Sequence, residues 1–294
     1  MRISAHEART RADRLFHFVS PCRLCPHRCG ADRQAGEMGR CGIDAVARIA
    51  SFGPHFGEES ILVGEKGSGT VFFSGCNLDC SFCQNWEISH QREGVERTEQ
   101  ELADVYLRLQ EMGCHNLNLV TPTHQAHAIV GALAVALERG FDLPVVWNCG
   151  GYESVEVLRI LDGVVDVYMP DVKYGDDCMA ERLSGAPAYV RVSQAAIREM
   201  HRQVGDLEIT ADGIAQRGLL VRHLVLPEGL AGTGVVVRFL AEEVSRDTYV
   251  NIMGQYHPCF RADEIPELRR EVTVDEHAKA LALARRVGLH RFAL

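Results

Sequence analysis

The stretch "SGCNLDCSFCQNW", residues 74–86, sets Cys76, Cys80 and Cys83 at C-x3-C-x2-C, directly after an apolar run and without a fourth cysteine beside them. Three thiolates on one loop can each hold one iron of a cubane iron–sulfur cluster, leaving the fourth iron without a protein ligand. A vacancy of that kind is useless to a structural staple; catalytic metal sites keep one for a small molecule. The rival reading of the same residues is a zinc site, or three thiols sharing a loop by accident.

A second set lies upstream. "CRLCPHRCGADRQAGEMGRCG" places Cys22, Cys25, Cys29 and Cys41 at C-x2-C-x3-C-x11-C, with Gly30, Gly36, Gly39 and Gly42 supplying the tight turns of a short wrapping loop. Four thiolates close a tetrahedral site, which suits structural zinc or an auxiliary iron–sulfur cluster that relays electrons, and the spacing leaves both open. Eleven cysteines in a chain without a secretion signal point to a reducing compartment, where such residues more often bind metal or do chemistry than form disulfides. Cys114, Cys149, Cys178 and Cys259 are scattered singly, mostly beside apolar segments, and read as small buried hydrophobes.

The 294 residues are 46% hydrophobic and 24% charged, as in an ordinary globular protein with a sizeable core. A net charge of -9 spread over alternating patches excludes the basic stripe of a nucleic-acid binder, and no stretch reaches the length of a transmembrane helix. The basic, amphipathic start "MRISAHEARTRADRLFHFVS" reads as a helical lead-in. Glu7 and Asp13 interrupt its likeness to an organelle transit peptide, and a cytoplasmic location is expected.

The elements that must position the cysteines follow from pattern. Residues 20–68 are rich in Cys, Gly, Arg and Pro with little periodicity, so a loop-dominated segment is expected; with the lead-in it forms a unit over 1–67, followed by a barrel domain over 68–294. "TVFFSG", "NLNLVTPT", "LPVVWNCG", "VVDVYMPDVK", "GLLVRHLVLP" and "TYVNIMGQY" read as strands that alternate with amphipathic helices, two of them opened by the capping boxes Thr98/Glu101 and Thr273/Glu276. Near-continuous apolar strands imply a parallel sheet covered by helices. Six such units without a dinucleotide fingerprint predict an α/β fold, a partial (β/α)6 TIM-like barrel. At the C-terminal strand ends stand Cys76, then Thr121 and Thr123, then Asn148, then Asp171 and Lys173, all around one mouth. Arg222 and His223 alternate on the fifth strand, so only one can face that mouth; the roles of His124 and His257 are equally open.

With Phe82 before the last cysteine, "GSGTVFFSGCNLDCSFCQNWEIS", "NLNLVTPTH", "DVYMPDVKY", "VRHLVLP" and "QYHP" together resemble the radical S-adenosylmethionine superfamily, in its pyruvate formate-lyase activating enzyme-like (PflX-like) branch. The resemblance implies a 4Fe-4S cluster on Cys76, Cys80 and Cys83, with S-adenosylmethionine chelating the open iron. One electron then breaks a sulfur–carbon bond, and the 5′-deoxyadenosyl radical abstracts hydrogen from a substrate. Asp171 and Lys173 match the branch's D-x-K pattern near the cofactor, and Arg222 matches a strand arginine facing the methionine carboxylate. Asn148 and Thr121 are placed near the cofactor by strand position alone. The implied partners are an electron donor such as flavodoxin or ferredoxin and a protein or peptide substrate bearing the target glycine.

Two departures stand out. "TPTH" replaces the G-G-E-like motif that holds the methionine amino group, and the extra cysteines precede the triad instead of following it. Both bear on glycyl-radical installation, so a radical enzyme acting on another peptide or small molecule is the alternative. An iron–sulfur electron carrier or redox sensor would need neither an open triad nor a six-strand barrel.

Overall fold

The apolar runs become strands because β-branched and aromatic residues fill them, while each helix between them buries one stripe. In the computed structural model, which describes residues 3–293, the first element is α1 (Ala5–Phe16), opened by a Ser4/Glu7 capping box. Cysteine-rich loops then lead to β1 (Ala47–His55) and the short α2 (Ser60–Val63). Next come β2 (Ser68–Phe73), α3 (Trp86–Ser89), β3 (Val95–Arg97) and α4 (Glu99–Glu111), the last opened by the expected Thr98/Glu101 box. The alternation continues through β4 (Leu117–Val120), α5 (Ala126–Glu138), β5 (Val145–Cys149), α6 (Val155–Ile160) and β6 (Val167–Pro170). Then come α7 (Asp177–Ser184), α8 (Tyr189–Val204), β7 (Glu208–Ile209), β8 (Ala215–Leu224) and α9 (Thr233–Phe239). The chain closes with β9 (Tyr249–Met253), α10 (Val274–Arg286) and β10 (Arg291–Phe292).

The strand order is β10-β9-β8-β6-β5-β4-β2-β1-β3, with β7 paired to β8 off this path. From β2 to β9 every pairing on that path is parallel, and these six strands are the ones expected. The fold is therefore α/β, an open parallel sheet of the partial TIM-barrel type. Two strands correct the expectation of a loop-dominated stretch over residues 20–68 and its neighbourhood: β1 pairs antiparallel with β2, and β3 pairs antiparallel with β1. Their local pattern is weak because Gly53 and Pro54 interrupt β1; the ladder to β2 makes the strand.

Alternation splits the strand side chains between two cores. Val71, Leu119, Trp147, Tyr168, Val221 and Ile252 pack outward under the helices. Val146, Val167, Met169 and Leu220 face inward, where Ile61 and Leu62 of α2 join them. Each such side chain contributes about 1.5–3 kcal/mol by leaving water. The segment just before β2 thus fills the inside of the sheet below the strand ends. Among the described residues, no helix is long and apolar enough to cross a membrane.

Candidate active site

The loop after β2 carries the triad and is anchored at both of its faces. Gly75 has φ +79°, and a Cβ there would lie 2.6 Å from both the Cys41 carbonyl oxygen and Ile43 Cγ1, so only glycine lets the loop press on the cysteine-rich segment. Behind it, Gln125 Nε2 donates to the Ser74 carbonyl at 2.8 Å, and His124 Nε2 lies 2.8 Å from the same oxygen. Burial lowers His124 to about 3, so its ring is neutral.

Each triad sulfur has a polar neighbour. Leu78 N–H donates to Cys76 Sγ at 3.3 Å, and the Ser184 hydroxyl donates to Cys80 Sγ at 3.0 Å while lying 2.6 Å from the Tyr174 hydroxyl. Ser89 Oγ is 3.1 Å from Cys83 Sγ. Burial pushes the Cys76 thiol well up and the Cys80 thiol up to about 11, the latter opposed by the Lys173 ammonium. Donors to sulfur and a nearby cation are what a thiolate-ligated cluster requires, so these residues fit one. Among the described residues, no three Cys, His, Asp or Glu side chains close around a single ion position; a cubane is a wider template, taking one thiolate at each corner.

Next to the triad, the ends of β5, β6, β8 and β9 share one charge network. Lys173 Nζ donates to Asp171 Oδ2 at 2.6 Å, and Arg222 Nε donates to Asp171 Oδ1 at 3.0 Å. The other Arg222 nitrogens reach Asn148 Oδ1 at 2.5 Å and Glu58 Oε2 at 3.2 Å. Burial works to raise Asp171, but Lys173 and Arg222 outweigh it and hold the carboxyl below its ordinary range. Burial likewise works to lower Lys173 and Arg222, and Asp171 more than compensates in both. Glu58 is raised by burial despite Arg222. Beside it, Glu59 Oε1 accepts from Asn251 Nδ2 at 2.8 Å, while its buried Oε2 has no partner.

Four of the five expected cofactor residues, Asn148, Asp171, Lys173 and Arg222, therefore meet. Thr121 joins through its backbone, donating to the Asn148 carbonyl at 2.8 Å from a φ of +59°. A β-branched residue in the left-handed region is held there against strain. His223 points away from the mouth: Nδ1 lies 2.6 Å from the Val172 carbonyl and Nε2 lies 2.9 Å from Thr233 Oγ1, with burial lowering it to about 4. Thr123 donates to Glu153 at 2.5 Å, and burial pushes that carboxyl up to about 8. Sequence pattern missed Glu58, Glu59, Asn251 and Ser184. The run "EESILV", two acids against an apolar triplet, is the one local signal of buried carboxylates.

The loop after β9 lies over the triad loop. Phe260, at φ +53°, stacks on Trp86 at 5.6 Å and on His90 at 4.5 Å; Arg261 pairs with Asp79 at 2.8 Å; and Cys259 Sγ donates to the Phe82 carbonyl at 3.3 Å. His257 lies 3.3 Å from Gln84 in the same layer. Cys114 and Cys149 are buried as expected, but Cys259 is half-buried in this cover and Cys178 is exposed, because it sits on the solvent side of the first turn of α7.

The profile of the radical SAM superfamily matches residues 70–214, the span that holds the triad, Asn148, Asp171 and Lys173. The chain belongs to the radical SAM superfamily. Two uncharacterized proteins of Methanocaldococcus jannaschii are similar to it. One is 34% identical over 278 residues, covering 91% of this chain and 75% of the relative; the other is 23% identical over 293 residues, covering 88% and 79%. Among solved structures, the FeFe-hydrogenase maturase HydG from Carboxydothermus hydrogenoformans aligns with a TM-score of 0.49 at 14% identity, over 73% of this chain and 49% of HydG. The radical S-adenosylmethionine methyltransferase TsrM from Kitasatospora setae aligns with a TM-score of 0.43 at 15% identity, over 60% of this chain and 34% of TsrM. Membership in the radical SAM superfamily implies a 4Fe-4S cluster and S-adenosylmethionine. In this chain Cys76, Cys80 and Cys83 would hold the first, and the network of Asp171, Lys173, Arg222 and Asn148 would receive the charged head of the second.

Proposed function

We propose that this radical SAM protein is a cytoplasmic enzyme that takes a hydrogen atom from a glycine of a protein or peptide partner, in the manner of the pyruvate formate-lyase activating enzyme-like branch. The observation that carries this reading is the Asp171–Lys173 ion pair, a D-x-K placed beside the triad with the Lys173 charge acting on Cys80. When bound, S-adenosylmethionine and the reduced cluster supply the 5′-deoxyadenosyl radical that does the abstraction. The chain's own part is to orient and to shield. Asp171 keeps Lys173 and Arg222 charged and fixed, so two cations stand ready for a carboxylate. Glu58 holds Arg222 until such a carboxylate arrives, and burial, which raises its proton affinity despite Arg222, weakens that hold. Phe260, Trp86 and Tyr256 keep water from the triad side of the mouth. Cys22, Cys25, Cys29 and Cys41 hold a second metal group in this reading.

A second reading, a radical enzyme for a small molecule, is favoured by Glu59: a buried carboxylate oxygen without a partner is matched by a substrate N–H or ammonium group.

The test is anaerobic reconstitution with iron and sulfide, dithionite reduction and assay for 5′-deoxyadenosine beside Cys83→Ala. Product that the control lacks is expected. Adding glycine-containing peptides should then give a carbon-centred radical in EPR with deuterium-sensitive splitting. Deoxyadenosine stimulated by cationic small molecules and not by peptides would replace the glycine assignment with the second reading.

A further inference from the structure

Arg33 is buried to 1% exposure. Its guanidinium donates to the Asp44 carbonyl from Nη2 at 2.6 Å and from Nε at 3.1 Å, and from Nη1 to the His124 carbonyl at 2.8 Å and to Cys22 Sγ at 3.7 Å. Among the described residues, no Asp or Glu forms an ion pair with it. A buried cation left without an anion is strongly destabilising. The groups beside Arg33 that can carry negative charge are the thiols of Cys22, Cys29 and Cys41. These sulfurs stand close together: a Cβ on Gly39 would lie 3.5 Å from both Cys29 Sγ and Cys41 Sγ, and Arg33 also reaches Cys22 Sγ. Cys25 is buried beside them. Thiols gathered around one guanidinium make a site for a positively charged inorganic group, whose binding would draw them into the thiolate form.

The placement of this site distinguishes between the candidates. His27, between Cys25 and Cys29, has Nε2 2.8 Å from the carbonyl oxygen of Asn77, the neighbour of Cys76. From Cys25 to Cys76 the path runs through Pro26, His27, one hydrogen bond and Asn77. Gly75 adds a backbone contact to Cys41. Zinc has no redox chemistry and gains nothing from such a bridge, whereas an iron–sulfur cluster gains a partner for electron transfer. Access points the same way. The triad lies under the loop after β9, while Cys29 is exposed on a segment that also exposes Arg23, Arg28 and Arg40, Arg28 paired with Glu156 at 2.6 Å and Arg40 donating to the Gly185 carbonyl at 3.0 Å, with Met38 at 54% exposure. Cations around an apolar spot suit an acidic partner.

We propose that Cys22, Cys25, Cys29 and Cys41 hold a second iron–sulfur cluster, through which an acidic one-electron carrier docked at Cys29 reduces the cluster on Cys76, Cys80 and Cys83. One electron leaves the carrier's reduced flavin or iron–sulfur group, passes to the second cluster and then to the first. The carrier ends oxidised by one electron, and no bond is made or broken. The relay rests on the radical reading above; the identity of the second metal group does not.

The experiment is metal and sulfide analysis of the reconstituted Cys76→Ala/Cys80→Ala/Cys83→Ala variant, which leaves the upstream site whole. About four irons and four sulfides per chain are expected, with an EPR signal on reduction. One zinc without iron, or no metal, overturns the assignment, and wild-type protein analysed alongside with about eight irons guards against a folding defect. For the carrier, reduction of the wild-type triad cluster by photoreduced flavodoxin is followed by freeze-quench EPR. Arg28→Glu/Arg40→Glu should slow it about tenfold, as should raised salt on the wild type. Dithionite should reduce both proteins at equal rates. Equal flavodoxin-driven rates overturn the docking site. Absence of deoxyadenosine from dithionite-reduced wild type would sink the radical reading alone.

Discussion

Glu58 Oε2 lies 3.2 Å from Arg222 Nη1, so a carboxylate of the chain itself already occupies one side of that guanidinium. Replacing Glu58 with Gln removes the competing charge and keeps the shape. Glu58→Gln should bind S-adenosylmethionine about threefold to tenfold more tightly, read by isothermal titration on reconstituted protein, because each tenfold is worth about 1.4 kcal/mol. Weaker binding would mean that Glu58 belongs to the cofactor site itself.

Asp171 holds two largely buried cations at once. Asp171→Asn leaves Lys173 uncompensated and Arg222 with Glu58 alone, and should destabilise the fold by about 3–5 kcal/mol in chemical denaturation, the usual result of breaking a buried pair. In Asp171→Asn/Arg222→Met much of that loss should return. An additive double variant would show that the two residues do not share the network.

The Ser184 hydroxyl hydrogen bond to Cys80 stabilises negative charge on sulfur. Ser184→Ala should therefore shift the reduction potential of the triad cluster downward by on the order of tens of millivolts in a dye-mediated titration, with iron content unchanged. An unchanged potential would assign Ser184 to packing alone.

Stability should fall on both sides of about pH 6.5, where two histidines outweigh one carboxyl on the acid side and the carboxyl acts alone on the other. The Glu153 carboxyl, raised from 4.5 to about 8, binds its proton more tightly in the folded state, so its contribution is full below pH 4.5 and is lost as pH rises toward about 8. His124 and His223, lowered from 6.5 to about 3 and about 4, must be neutral in the fold. Their contribution is present above pH 6.5 and is lost as pH falls toward those values. Glu153→Gln should flatten the alkaline limb, whose slope from one group is at most about 1.4 kcal/mol per pH unit. Denaturation midpoints from pH 5 to 9 check this, and an unaltered limb would move the effect to another group.

Six strands and two capping boxes were legible because their information is local: apolar runs for β2, β4, β5, β6, β8 and β9, and Thr–x–x–Glu for α4 and α10. The triad was legible for the same reason, as three ligands on one loop. Glu58 and Glu59 were not, since their partners Arg222 and Asn251 stand 164 and 192 residues away. Arg33 reads as one more surface arginine until the fold brings its guanidinium to His124, 91 residues on. β1 escaped because Gly53 and Pro54 mask a strand that its neighbour imposes. His223 shows the converse: alternation said that one of two adjacent residues faces the mouth, and only the packing of Thr233 and Val172 chose Arg222.

The plug of Ile61 and Leu62 has a kinetic consequence. With Val146, Val167, Met169 and Leu220 packed on it, the inside of the sheet is filled below the strand ends. A molecule seated at Arg222 and Asp171 has no exit past the plug, and a second one bound above it would slow its departure.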